Sequence, residues 1–273
     1  MKSENWIRED LPPADIPLWR EAGFGADLVA LHISRVFYGM GQPRGDGSGV
    51  ILLPGFLMPD FYLVEMRGWL RRLGYQPQFS GIRVNADCPN LLIRNYINPT
   101  IDQSLKETGR KVHLVGHSLG GIIARSIAAQ RPQDVASVIT LGSPFRGAAA
   151  HRGVLMAADA VRWRVLRKRD GDVLPECYTG RCGCDFVNAL GHDLPASILQ
   201  TAIYTRRDGI VDWQYCVTDN PEVDCEVSGT HIGMADNPEV DCEVSGTHIG
   251  MAFNPEVYRI VAERLAKASE AGK

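Results

Sequence analysis

The run Lys111-Val-His-Leu-Val-Gly-His-Ser-Leu-Gly-Gly121 carries an apolar, strand-like segment into Gly-x-Ser-x-Gly, and the residues that follow, Ile122 to Gln130, are helix-compatible. A serine lifted onto a sharp strand-to-helix turn suits attack on an acyl group. Its hydroxyl is exposed there, and the start of the helix aims backbone N–H groups and a positive dipole end at it. A Cβ at Gly116 or Gly120 would collide with neighbouring backbone at such a turn, and Ser118 itself is expected in strained φ/ψ space. The five-residue pattern also occurs in ordinary turns; strand before and helix after are the context that marks a nucleophile.

A serine hydroxyl is a weak nucleophile, so a histidine must take its proton and return it to the leaving group, and a carboxylate must orient that histidine. Asp208 is the favoured acid, because it follows an apolar run ending at Tyr204 and stands in an Asp-Gly turn that Gly209 allows to be tight; Asp212 is the alternative. Two histidines compete to be the base. Residues 219–235, DNPEVDCEVSGTHIGMA, recur unchanged as 236–252, which puts His231 and His248 in identical local sequence, each preceded by a strand-like Val-Asp-Cys-Glu-Val. Solenoid repeats have periods of roughly 20–50 residues and need three or more units, so this tandem reads as a duplication and not as an architecture. Only the flanks discriminate. The second copy runs on through Phe253 into a terminal helix, with Asn254 as N-cap and Pro255 at its first position, whereas the first copy has charged Asp236 where Phe253 stands. Losing a buried Phe costs about 3 kcal/mol or more, and loop-closure entropy is nearly the same either way, so the balance favours His248.

The elements that must position these groups alternate along the chain. Gly49 to Pro54 reads as a strand buried on both faces, 61–73 as a helix stopped by Gly74, and 97–107 as a helix ending before Gly109. After the Ser118 strand and helix come strands at 135–141 and 198–204, and 27–38 reads as an amphipathic helix laid over the sheet. Repeated strand–helix units predict an α/β fold, a mostly parallel sheet flanked by helices. Residues 1–48 form an N-terminal helical extension ahead of a single domain at 49–273. The stretch 146–197 is too long for a βα loop, is helical around 154–167, and reads as a lid or cap-like insertion, with surface decoration as the bland alternative. Its basic run, Arg162 to Arg169, reads as a solvated lid face. Only one copy of the repeat has room beside the strand of Asp208; the spare strand is left to pair with an exposed edge or to swap into a second molecule, an expectation of dimerisation through that edge.

Composition bounds the function. A chain of 273 residues that is 45% hydrophobic can bury one substantial core, and a formal charge of −3 with no long basic run argues against a nucleic-acid partner. The first ten residues lack the pattern of a signal peptide and no stretch reaches the ~18 apolar residues of a span, so the expected location is cytoplasmic, without stable membrane insertion. Seven cysteines complicate that reading. Cys177, Cys182 and Cys184 could form a bridge, remain free thiols or, with a fourth ligand, hold a metal, although the spacing is not that of a zinc site.

Four segments, in order, resemble the α/β-hydrolase family and its small bacterial lipase-like members: Leu53-Pro-Gly-Phe-Leu57, Gly116-His-Ser-Leu-Gly-Gly121, Thr140-Leu-Gly-Ser-Pro-Phe-Arg-Gly147, and Tyr204 to Asp212 followed by Ser-Gly-Thr-His. The order Ser, Asp, His is that fold's order. The resemblance spans most of 49–268 and leaves the first 48 residues outside. It implies a carboxylesterase or lipase with no cofactor and no metal, an acyl-enzyme on Ser118, and an oxyanion hole from the amides of Leu119 and Phe56. Pro54 stands where such lipases carry histidine, which removes one donor but leaves the Phe56 amide. Leu57, Met58, Phe145 and Met251, or Met234 in the first copy, would line a pocket for short to medium acyl chains of a small-molecule ester or lipid. An acyltransferase or thioesterase could use the same residues; a noncatalytic binding protein on this fold would be expected to lack one of the three groups.

Overall fold

The computed structural model describes residues 14–147, 149–169, 171–217, 224–225 and 239–271 of the chain, with backbone alone at 224, 225, 239 and 271. Its frame is a parallel sheet. The strands are β1 (Gly49–Leu53), β2 (Gln76–Phe79), β3 (Val112–His117), β4 (Val135–Leu141), β5 (Leu199–Tyr204), β6 (Asp224–Cys225) and β7 (Glu239–Glu243), in the spatial order β2-β1-β3-β4-β5-β7-β6. All six pairings among the described residues are parallel.

The helices are α1 (Phe24–Ile33), α2 (Val64–Leu73), α3 (Pro89–Leu92), α4 (Asn98–Thr108), α5 (Leu119–Gln130), α6 (Arg152–Lys168), α7 (Asp185–Leu190) and α8 (Pro255–Ala271). They cover both faces of the sheet. One apolar layer joins Leu52, Val115, Ile139 and Ile203 to Trp69 of α2 and Tyr258 and Leu265 of α8; the other joins Ile51, Leu114 and Val138 to Ile123 and Ile127 of α5 and Ile101 of α4. Strands covered on both faces are buried along their whole length, as β1, β3 and β5 are; β1 is apolar throughout, while β3 and β5 also bury His113, His117, Gln200 and Thr201. This is the α/β fold with a helix-flanked parallel sheet that the pattern predicted.

Where expectation and structure differ, local chemistry gives the reason. Strand β2 carries no apolar pattern because it is the sheet's outer strand, and Pro77, which lacks a donor, is tolerated only at such an edge. The helix read over 97–107 is the last part of a longer helical run that begins at Pro89 and passes through one π-turn at Ile93–Ile97. The helix read over 27–38 instead occupies 24–33, preceded by a 3-10 turn at Leu18–Gly23. Ser34 ends it in extended conformation, with its hydroxyl on the Leu31 carbonyl. It exposes Phe24, Val29 and Ile33 and packs on the 3-10 turn Gly250–Phe253, so it covers the loop after β7 and does not lie over the sheet.

The second copy of the repeat supplies β7, which pairs with β5; Asp224 and Cys225 of the first copy pair outside it, in register with Asp241 and Cys242. Phe253 packs edge-on against Tyr62, ring centroids 5.4 Å apart, and Asn254 caps α8 through its Oδ1 and the Glu256 amide at 2.8 Å. The remainder of the first copy, including His231 and Met234, lies outside the described residues.

Candidate active site

Ser118 lies between β3 and α5 at φ 52°, ψ −123°, a conformation that costs a non-glycine residue free energy and is kept because its surroundings leave no other path. Those surroundings are backbone. A Cβ on Gly116 would strike the Gly120 carbonyl, and one on Gly120 would strike the Leu53 carbonyl and sit 2.6 Å from that of Pro54. The two glycines therefore let α5 start directly against the ends of β3 and β1, which leaves the serine at the crest of the turn.

Strand β5 ends at Tyr204, and four residues later Asp208, buried, points back toward the loop after β7. Its Oδ2 lies 2.6 Å from His248 Nδ1, while Oδ1 accepts from the amides of Ile210 and Val211, each at 2.8 Å. One carboxylate thus satisfies its own turn and holds an imidazole. Asp212 does something else: it caps the 3-10 turn Trp213–Tyr215 by accepting from the Gln214 amide. For His248, burial would by itself favour the neutral ring, but the charge and hydrogen bond of Asp208 outweigh it and Glu21 adds to them, so its pKa rises above the ordinary 6.5.

His117, the residue before the serine, donates from Nε2 to the His248 carbonyl at 2.9 Å. Burial pulls its pKa down to about 3, so it is a neutral ring that positions the loop of His248. Tyr62 donates to the next carbonyl, that of Ile249, at 2.6 Å. Asn85, fully buried, donates to the Pro54 carbonyl at 2.8 Å and exchanges backbone bonds with Leu57 and Met58, which shapes the loop after β1. A Cβ on Gly55 in that loop would lie 3.3 Å from Ser118 Cβ, so the Gly55–Phe56 backbone passes directly over the serine. Among the described residues neither the Phe56 nor the Leu119 amide has a hydrogen-bond partner.

Two cavities meet at Ser118. One, about 200 Å³, is lined by apolar groups that include Phe56, Leu119, Ile122, Leu155, Tyr178 and Phe186. The other, about 310 Å³, holds His248 and His117 together with Leu57, Met58, Ile210 and Val154 of α6. Phe56, Leu57 and Met58 are thus at the cavities, and two expected lining residues are not. Phe145 is buried under the Arg125 guanidinium, 5.1 Å from its ring centroid, and Pro144 lines the cavity in its place. Met251 is fully buried in the core, because the 3-10 turn after His248 sends it inward against Gly142.

The insertion supplies much of the lining, and its basic run is not simply solvated. Arg162 donates to the carbonyls of Cys177 and Pro175, Arg164 to that of Ala86, and Arg169 pairs with Asp87, which stitches α6 to the body of the protein. Cys177, Cys182 and Cys184 line the first cavity with Cys88, all as free thiols. The hydrogen bond from Cys177 pulls the Cys88 thiol below its ordinary value. Among the described residues no group of three or more His, Cys, Asp or Glu side chains is arranged to hold a metal ion.

Sheet, elbow and loops together define the α/β-hydrolase fold. The chain superimposes on a monoacylglycerol lipase of Paleococcus ferrophilus with a TM-score of 0.50 at 13% identity, over 83% of this chain and 97% of that one. It matches a structure described as one of two metagenome-derived lipolytic enzymes, LipS and LipT, with a TM-score of 0.50 at 12% identity, over 84% and 96% of the two chains. A family model described as a PGAP1-like alpha/beta domain matches residues 86–159. A stretch of 48 residues is 54% identical to a triacylglycerol lipase of Pseudarthrobacter phenanthrenivorans, covering 17% of this chain and 15% of that relative. A triacylglycerol lipase of Burkholderia plantarii matches at 54% over 48 residues, 13% of its length. The chain therefore spans only a small part of the length of these relatives.

Proposed function

We propose that this chain is a serine hydrolase that cleaves carboxylic esters of short to medium acyl chains, an esterase or lipase, through an acyl-enzyme on Ser118. The observation that carries the reading is the buried Asp208–His248 pair, whose histidine lines one cavity with a serine held at positive φ. With Nδ1 bonded to Asp208, the His248 Nε2 is free to take the Ser118 proton as Oγ attacks the ester carbon. The carbonyl oxygen becomes an oxyanion within reach of the Phe56 and Leu119 amides, and stabilisation of that charge is commonly the largest catalytic term. As the tetrahedral adduct collapses, the C–O bond to the alcohol breaks and His248 protonates the leaving oxygen. Water then attacks the acyl-serine, giving its proton to His248; as this second adduct collapses, the bond from the acyl carbon to Ser118 Oγ breaks, His248 returns the proton to Oγ, and the acid leaves.

The 200 Å³ apolar cavity suits the acyl chain and the cavity around His248 suits the alcohol. Helix α6 then serves as the lid between them and solvent. The short match to triacylglycerol lipases supports the same reading. The test is hydrolysis of p-nitrophenyl esters together with labelling by a serine-directed phosphonate. Ser118→Ala loses several orders of magnitude in rate and all labelling; His248→Ala loses most of the rate and His231→Ala little. Retention of most activity by Ser118→Ala removes the proposal.

A further inference from the structure

The segment that family resemblance leaves out reaches the site. Glu21, in the 3-10 turn Leu18–Gly23, is only 7% exposed, and its carboxylate accepts three backbone N–H groups from two different loops. Oε1 takes the Gly209 amide at 2.8 Å and the His248 amide at 3.1 Å, and Oε2 takes the Ile249 amide at 2.8 Å. Gly209 directly follows Asp208. One side chain therefore joins the loop that carries the acid to the loop that carries the base, and it does so within one residue of each. The fit is close on the acid side, where a Cβ on Gly209 would lie 2.8 Å from Oε1.

A buried carboxylate is costly unless its lone pairs are filled, and charge-assisted bonds to N–H groups are about twice as strong as neutral ones. A neutral side chain would close a turn with less desolvation, so the charge asks for a reason. The same segment places a second carboxylate on this loop: Asp27 accepts from the Thr247 backbone, and a Cβ on Gly250 would strike its Oδ2.

We propose that Glu21 is a positioning residue for the reaction at Ser118, holding the loops of Asp208 and His248 in mutual register and placing a negative charge behind the imidazole. This rests on the assignment of Ser118, Asp208 and His248 as the reacting groups. Among the described residues, Asp208, Glu21 and His117 lie directly against His248 or its backbone, and Ser118 and His151 line the same cavity. Tyr62 lies over the Ile249 carbonyl, with its hydroxyl pKa raised by burial, and Asp27 and Arg207 stand beyond Glu21. Cys216, kept as a thiol by burial, lies near Asp208 and Asp212. Of these, Asp208 and Glu21 raise the basicity of His248, so removal of the Glu21 charge must lower it.

Glu21→Gln separates this role from simple packing. An amide keeps the shape but presents NH₂ to one of the backbone donors and carries no charge. The expected result, on the full chain with active sites counted by phosphonate burst, is a fall in kcat of about tenfold, on the order of what loss of an outer-shell partner costs elsewhere, with KM nearly unchanged. The acid limb of kcat/KM moves to lower pH. Glu21→Asp, which keeps the charge but is one methylene too short to span both loops, loses rate while its limb stays nearer the wild-type position. Wild-type rate and limb in Glu21→Gln overturn the inference, as does a lower thermal midpoint with an unmoved limb and unchanged kcat per labelled site. If wild-type protein takes up no phosphonate, the ester-hydrolase reading and this inference fall together; if it is labelled normally and Glu21→Gln matches it, this inference alone fails.

Discussion

At the scale of single residues, Asp208 and Asp212 stand four positions apart in one loop and have different environments. Asp208 is buried and its second oxygen lies on the imidazole, whereas Asp212 closes a surface turn with one amide bond. Asp208→Asn should therefore cost about four orders of magnitude in kcat, the scale on which an amide in this position stabilises the wrong tautomer. Asp212→Asn should cost a few-fold at most; steady-state rates on one ester compare them, and equal losses would move the acid to Asp212. In the proposed mechanism His248 sets the pH response. It must be neutral to accept the serine proton, so the rate rises as pH climbs through its pKa. Because Asp208 and Glu21 together outweigh burial and raise that pKa, the acid limb of kcat/KM should lie above 6.5. A limb below that value would show that burial dominates.

At the scale of elements, α6 lines both cavities. Its Val154 lines the cavity on either side of Ser118, and Leu155 faces the apolar one. Leu155→Trp should fill that cavity while leaving the elbow untouched, so kcat/KM for p-nitrophenyl octanoate should drop about tenfold or more, and that for the acetate less than about threefold, because the loss of apolar contact scales with chain length. Equal losses on both esters would mean that the acyl chain binds elsewhere. The basic residues of α6 show where sequence reading stops at this scale. Their helical spacing is visible in the chain, but that Arg162, Arg164 and Arg169 bond to carbonyls and a carboxylate of distant segments is decided by packing.

At the scale of the whole molecule, the repeat adds strand without adding fold. The second copy fills the position beside β5, and the first contributes a two-residue pairing outside it. Because the copies are identical, deletion of 219–235 and deletion of 236–252 yield the same chain, in which Phe253 still follows the histidine. That chain should keep ester hydrolysis within a few-fold and lose little thermal stability, since shortening the β5-to-β7 connection changes closure entropy by well under about 1 kcal/mol. Loss of activity on deletion would show that the site needs both copies. No helix among the described residues is long and apolar enough to cross a membrane.

Ser118, its strand and its helix were legible because everything that defines them is local: an apolar run, two glycines where backbone meets backbone, and a helix-forming stretch directly behind. The parallel, helix-flanked sheet followed from the alternation of apolar runs and helices, though its strand order did not, and the cap at Asn254 followed from its neighbours. Asp208 could be favoured over Asp212 from the Asp-Gly turn, but the duplicated histidines share every local signal, and only the flanking Phe253 leaned toward His248. What the tertiary structure alone decided is long-range: that β7 comes from the second copy, that Phe145 and Met251 turn into the core, and that His117, Asn85 and Glu21 hold the loops around the serine. Glu21 lies 227 residues from the amide of His248. A contact over that separation leaves no periodicity and no motif in the chain, because its partners are backbone N–H groups, which every residue type but proline carries.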